Sequence, residues 1–137
     1  MAGIEISRKG DFSTSFLFLK KNKKIINRIR KILERYGKIG VRELRAATPK
    51  DTGKTSESWS YHIEEGYHTL KLVWTNSNVN KYANIAVLIQ YGHATGNGGW
   101  VEGVDYINPA MQPLFKEIAV DCFEEVTKLW DLSTNRS

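Results

Sequence analysis

At 137 residues, 41% hydrophobic and 26% charged, the chain has the size and composition of a single soluble domain with one core. No apolar run approaches the ~20 residues a membrane helix needs. The opening MAGIEISRKGDF lacks the apolar stretch of a secretory signal, so the expectation is a protein made and folded in a cytoplasm, with no membrane partner.

The lone cysteine, Cys122, excludes an intramolecular disulfide and a cysteine-rich zinc cluster. It sits among Ala119, Val120 and Phe123 and reads as a small buried hydrophobe. The formal charge of +5 is uneven. Eleven Lys and Arg residues, the first Lys20 and the last Arg45, face only Glu34 and Glu43. Over residues 114–131, five acids face Lys116 and Lys128. Such asymmetry suits nearby nucleic acid, or a complementary protein surface in a head-to-tail ring.

In chain order, Phe12, Phe16 and Leu19 fall at helical spacing, with Asp11 or Ser13 as the cap, although FSTSFLFL also has strand-like content. A short helix is the expectation there. The next 25 or so residues form the clearest element. Ile25, Ile29, Ile32, Leu33, Tyr36, Gly40, Leu44 and Ala47 make one apolar helical stripe, and Lys24, Arg28, Lys31, Arg35, Lys38 and Arg42 lie mostly off it. Gly37 and Gly40 each weaken a helix by ~1 kcal/mol relative to alanine, which suggests close approach of another backbone. Pro49 disfavours helical geometry at Thr48 and should end the helix near Ala47.

Thr48-Pro49-Lys50-Asp51-Thr52-Gly53 reads as a rigid turn, with Gly53 allowing positive φ. Residues 55–58 then form one helical turn. Alternation in Trp59, Tyr61, Ile63 and in Leu70, Leu72, Trp74 predicts an antiparallel hairpin turning at Glu65-Gly66-Tyr67-His68. Asn76-Ser77-Asn78-Val79-Asn80 reads as a polar loop. Residues 82–91 fit a helix or a buried strand, and a helix stopped by Gly92 is preferred. Gly96-Asn97-Gly98-Gly99 is a flexible tip, and Trp100 to Ile107 is expected as a third strand, bulged at Gly103. Asn108 as N-cap and Pro109 at the first position begin a last helix with a broad apolar face. A disordered polar tail over 133–137 leaves one domain over 1–132. The predicted fold is α+β: a long N-terminal and a C-terminal helix packed on a small, mainly antiparallel sheet of about three to four strands.

Chemistry is sparse. His62, His68 and His93 are isolated, without HExxH or paired-carboxylate spacing, and no GxSxG elbow is present. His93 is the one histidine worth testing as the centre of a small hydrolase. The glycine tip lacks the GxxxxGK[ST] and GxGxxG patterns, so no cofactor and no metal are expected. The basic helix can bind phosphates without sequence preference, or can be a solvated face. Trp59, Tyr61, Trp74, Tyr91, Trp100 and Tyr106 are divided between core and interface, and an edge strand can be left open for a neighbouring subunit.

Two segments together carry a resemblance. Ala47-Thr48-Pro49-Lys50-Asp51-Thr52-Gly53 followed by Ser58-Trp59-Ser60-Tyr61 resembles the aPxDTGxLxxSw stretch of the tail-completion, or head–tail connector (minor capsid), family of long-tailed bacteriophages. Tyr91-Gly92-His93 and Asp105-Tyr106-Ile107-Asn108-Pro109-Ala110 are similar to its later YGh/t, loop and pxPAl pattern. The asparagine run at 76–80, Leu88-Ile89-Gln90 and the glycine tip look like the form in phages and prophages of low-GC Gram-positive bacteria. The resemblance spans about residues 10–126. Lys54-Thr55 departs from the Arg-Leu of many members.

The resemblance implies a non-enzymatic virion subunit at the head–tail joint, made in the bacterial host cytoplasm. It implies a ring of copies, such as a hexamer, that meets other head–tail joining or tail-terminator proteins around DNA in the channel. Expected subunit or ring contacts are Asp51, Thr52, Gly53, Tyr91, His93, Asn97 and Trp100. Lys24, Arg28, Lys31, Arg35, Lys38 and Arg42 would face DNA or an acidic neighbour. Residues 92–103 would be a mobile arm, ordered on assembly.

Overall fold

A computed structural model describes residues 4–9, 13–19, 23–50, 53–66, 69–80 and 83–134. The elements are β1 (Ile4–Lys9), β2 (Ser13–Leu19), α1 (Lys23–Ala47), α2 (Lys54–Glu57), β3 (Trp59–Glu65) and β4 (Thr69–Asn76). There follow α3 (Ile85–Tyr91), β5 (Gly92–Ala94), β6 (Trp100–Glu102) and α4 (Ile107–Thr134). The class is α+β, with α1 and α4 packed together on an antiparallel sheet of order β1-β2-β4-β3. A separate two-stranded ribbon is formed by β5 and β6.

The long helix follows its stripe. Ile29, Leu33, Tyr36 and Leu44 are buried, and Ile25, Ile32 and Ala47 pack at the margin of the core. The expected hairpin is β3–β4, with Tyr61 opposite Trp74 and Ile63 opposite Leu72. Its buried residues, Trp59, Leu70, Leu72 and Trp74, alternate with exposed Ser60, His62 and Glu64 on β3. Both helix glycines mark a close approach, but of aromatic side chains and not of another backbone. A Cβ at Gly37 would lie 2.3 Å from the Tyr61 ring, and one at Gly40 would lie 2.4 Å from Trp74 Nε1. Close approach also lets Trp74 Nε1 donate to Gly37 O at 3.0 Å. Phe115 of α4 completes this core, its ring centroid 6.1 Å from that of Trp74.

Several expectations are corrected. Residues 13–19 form strand β2, not a helix, pairing Phe16 with Leu72 and Phe18 with Leu70. Phe12 lies outside the described residues. The aromatic content of the segment suits a pleated surface, and pairing with β4 overrides its marginal helical spacing. The β1 strand, unassigned from sequence, pairs with β2. Trp100 to Ile107 is not a third strand of the main sheet. Only Trp100–Glu102 is strand, and it pairs with β5 alone. Helix α4 begins at Ile107 and runs through Thr134, past the expected tail boundary at 133. Asn108 is therefore inside the helix and is not its N-cap.

Candidate functional site

The described residues on either side of positions 51–52 build a joint between α1, α2 and the sheet. Thr48, almost fully buried, donates from Oγ1 to Leu44 O at 2.5 Å and accepts from Trp59 Nε1 at 2.9 Å. Gly53 has φ 80°, in the left-handed region, with no atom within 4 Å of an added Cβ, so backbone conformation and not space selects glycine there. Asp51 and Thr52 lie outside the described residues. Thr55 O accepts from Asn76 Nδ2 at 2.8 Å, and Thr55 Oγ1 accepts from Asn78 Nδ2 at 2.8 Å. Asn84 Nδ2 donates to Asn76 O at 2.9 Å, and Asn84 Oδ1 caps α3 by accepting from Ala86 N at 3.0 Å. The polar run at 76–80 is thus a hydrogen-bonded strap from α2 to α3. Its asparagines satisfy backbone groups where the β3–β4 ladder ends at Asn76.

Helix α3 in turn holds the start of α4. Buried Gln90 accepts at Oε1 from both Tyr106 N and Ile107 N, each at 3.1 Å. Its Nε2 donates to Asp105 Oδ1 at 2.6 Å. The first amides of a helix have no partner within it, and here Gln90 of another helix accepts from Ile107 N, the first of them, and from Tyr106 N just before it. Asn108 Nδ2 instead donates to Asp105 Oδ1 at 2.9 Å. Tyr106 OH donates to Ala86 O at 3.1 Å, and burial raises its pKa. Val104 N donates to Ile89 O at 2.8 Å.

From this root the β5–β6 ribbon projects, with His93 opposite Val101 and Ala94 opposite Trp100. Gly92 and Gly103 cross at its base. A Cβ on Gly92 (φ 82°) would lie 2.5 Å from Val101 O, and one on Gly103 would lie 2.5 Å from Gln90 O. The glycine tip is closed by two hydrogen bonds: Thr95 N donates to Gly99 O at 2.9 Å, and Gly99 N donates to Thr95 Oγ1 at 3.0 Å. Asn97 is exposed at this tip. Tyr91 is 54% exposed, Trp100 58%, Val101 44% and Val104 53%, so the ribbon and its root present an aromatic and aliphatic surface. His93 is half-buried, its Nδ1 buried without a hydrogen-bond partner.

Lys24, Arg28, Lys31, Arg35, Lys38 and Arg42 all lie on exposed positions along the outer face of α1. Part of the charge asymmetry is met within the chain. Arg28 pairs with Glu125 at 3.4 Å, Arg35 with Asp121 at 2.9 Å, and Arg30 with Glu65 at 2.8 Å. Tyr36 OH also donates to Asp121, and burial, aided by that carboxylate, pushes its pKa up to about 12. Such exposed pairs contribute roughly 0–1 kcal/mol each, so they orient α4 against α1 more than they stabilise it. Lys31 and Lys38 have no ion-pair partner among the described residues.

Among the described residues, no group of three His, Cys, Asp or Glu side chains is placed to hold a metal ion. His62 Nε2 lies 2.9 Å from Glu64 Oε1 on the exposed face of β3, and His68 lies outside the described residues. Cys122 is fully buried, and burial, with Asp121 and Glu125 adding, pushes its thiol up to about 12. No helix of the described residues is long and apolar enough to cross a membrane. Sequence reasoning named the ribbon residues Tyr91, His93, Asn97 and Trp100 but missed Val101 and Val104. It also missed Gln90, Asp105 and Asn84, whose only signal was a polar residue at each end of an apolar helical segment. Comparison with protein-family models, with curated proteins and with solved structures returned no match.

Proposed function

We propose that this chain is a structural subunit of a long-tailed phage virion that completes the tail end or neck and joins it to the DNA-filled head as part of a ring. The observation that carries the reading is the ribbon. Tyr91, Trp100, Val101 and Val104 stand exposed on a support held by the Gln90 cap and the Gly92–Gly103 crossing. A soluble chain that exposes aromatic surface on a firmly rooted projection is equipped to bind protein. The motifs shared with the connector family support the same reading. Gln90, Asp105, Tyr106 and Ile107, which hold the ribbon's root, lie within the resembling stretches. Neighbouring copies and the adjoining head–tail or tail-terminator proteins are the partners, and DNA passes through the channel.

Deletion of the gene from the parent phage or prophage tests this. The expected result is filled heads and tails that fail to join, or tails of abnormal length; normal infectious particles would overturn the reading. A second reading, a nucleic-acid-binding module, is favoured by the exposed α1 face with Lys31 and Lys38. Filter binding across a salt series separates the two, since weak binding with a shallow slope removes the nucleic-acid role.

A further inference from the structure

A ring requires two different surfaces on each subunit, because a head-to-tail contact joins unlike patches. The ribbon is one exposed apolar surface. A second lies on α4, where Phe123 is 67% exposed and Val120 54%, next to Ala119. This patch begins thirteen residues along α4 from Ile107, which at 1.5 Å per residue places it about 20 Å from the ribbon's root. The same chain can therefore donate one surface and offer the other without folding back.

One charge pair and the spacing fit, with Glu124 also lining the α4 patch. Trp100 and Glu102 alternate onto one face of β6, about 7 Å apart. Lys116, Val120 and Phe123 follow one another at four- and three-residue steps along the outside of α4, with Lys116 about 6 Å from Val120 along the axis. An indole seated on Val120 and Phe123 brings Glu102 level with Lys116. Neither Glu102 nor Lys116 has an ion-pair partner among the described residues.

Building on the ring reading above, we infer that the β5–β6 ribbon of one copy docks on the Lys116–Val120–Phe123 face of α4 in the next copy. An aromatic side chain can bury roughly 150–250 Å², so Trp100, 58% exposed, offers on the order of 100–150 Å². That is a small part of the ~800 Å² each partner contributes to a stable pair. A single contact is consequently weak, and closure of the ring or an adjoining ring consolidates it.

Disulfide trapping reads weak contacts directly. Full-length chains carrying Ala94→Cys, which pairs with Trp100 in the ribbon, or Ala119→Cys, beside Val120, are oxidised alone and as an equal mixture; Cys122, fully buried, does not compete. The expected result is a covalent dimer in the mixture, joining the two substituted positions by mass spectrometry, and none above background in either chain alone. Glu102→Lys in the first chain should abolish the dimer, and Lys116→Glu in the second should restore it. No mixed dimer, or dimers from one chain alone, would overturn the inference. A joining defect on gene deletion without a mixed dimer would leave the joint and remove this contact. A mixed dimer with normal deletion particles would leave the contact and remove the joint.

Discussion

The Gln90 cap gives a demanding test of how the ribbon is held. Gln90→Met keeps the side-chain length and apolar stem but removes the acceptor for Tyr106 N and Ile107 N and the donor to Asp105. Both backbone groups belong to buried residues. A buried donor left without a partner costs roughly 1–3 kcal/mol, so the two together should cost about 3 kcal/mol. That is a large share of the roughly 5–15 kcal/mol by which domains are stable. Urea unfolding should show the midpoint falling with little change in slope. Hydrogen exchange should show faster exchange at Tyr106 and Ile107 than at the centre of α1. Gln90→Glu keeps the acceptor and loses only the donor, so it should cost less, about 1–2 kcal/mol. Its carboxylate would face Asp105, which raises the folded-state pKa of the pair. Stability of this variant should therefore recover as pH falls through the carboxyl range. A Met variant within 0.5 kcal/mol of wild type, or a Glu variant as costly as Met at every pH, would refute the capping role (both thresholds set against the ~1 kcal/mol of an ordinary hydrogen bond).

Gly92→Ala should disrupt the ribbon while Gly53→Ala should not. Both residues have positive φ, which costs roughly 1–2 kcal/mol for alanine, but only Gly92 also meets backbone, 2.5 Å from Val101 O. Amide chemical shifts of residues 92–102 would show the difference. Gly40→Ala should lower the unfolding free energy by about 1–3 kcal/mol, read by urea unfolding, despite alanine's better helix propensity, because Trp74 must shift. Cys122 predicts an alkaline loss of stability. The unfolded thiol releases its proton above 9.0 and the folded one only near 12, so the unfolded chain binds fewer protons in that window and stability falls as pH rises, by about 1.4 kcal/mol per unit. Cys122→Ala should flatten this slope, and equal slopes for the two proteins would refute it.

The helices were legible because their signals are local. The α1 stripe from Ile25 to Ala47, its stop before Pro49, and the cost of Gly37 and Gly40 were all on the surface of the sequence. The candidate site was legible in part. Tyr91, Trp100 and the glycines between them marked the ribbon, because aromatic residues beside flexible backbone have few core uses. Val101 and Val104 were missed because a lone valine carries no sign of its exposure. The charge asymmetry was visible in the sequence, but part of the basic face is met by α4 of the same chain, through Asp121 and Glu125.

Composition and periodicity by themselves determined the α+β class with two long helices and a hairpin, since each element's apolar spacing is a property of neighbouring residues. Tertiary structure alone decided the rest. Residues 13–19 became a strand because β4 offered a pairing edge, and 100–102 left the main sheet to pair with β5. Gln90, not Asn108, capped α4 because the bend of the chain brought an acceptor to Tyr106 N and Ile107 N. These outcomes depend on hydrogen-bond partners distant in the chain, and short-range spacing carries no information about such partners.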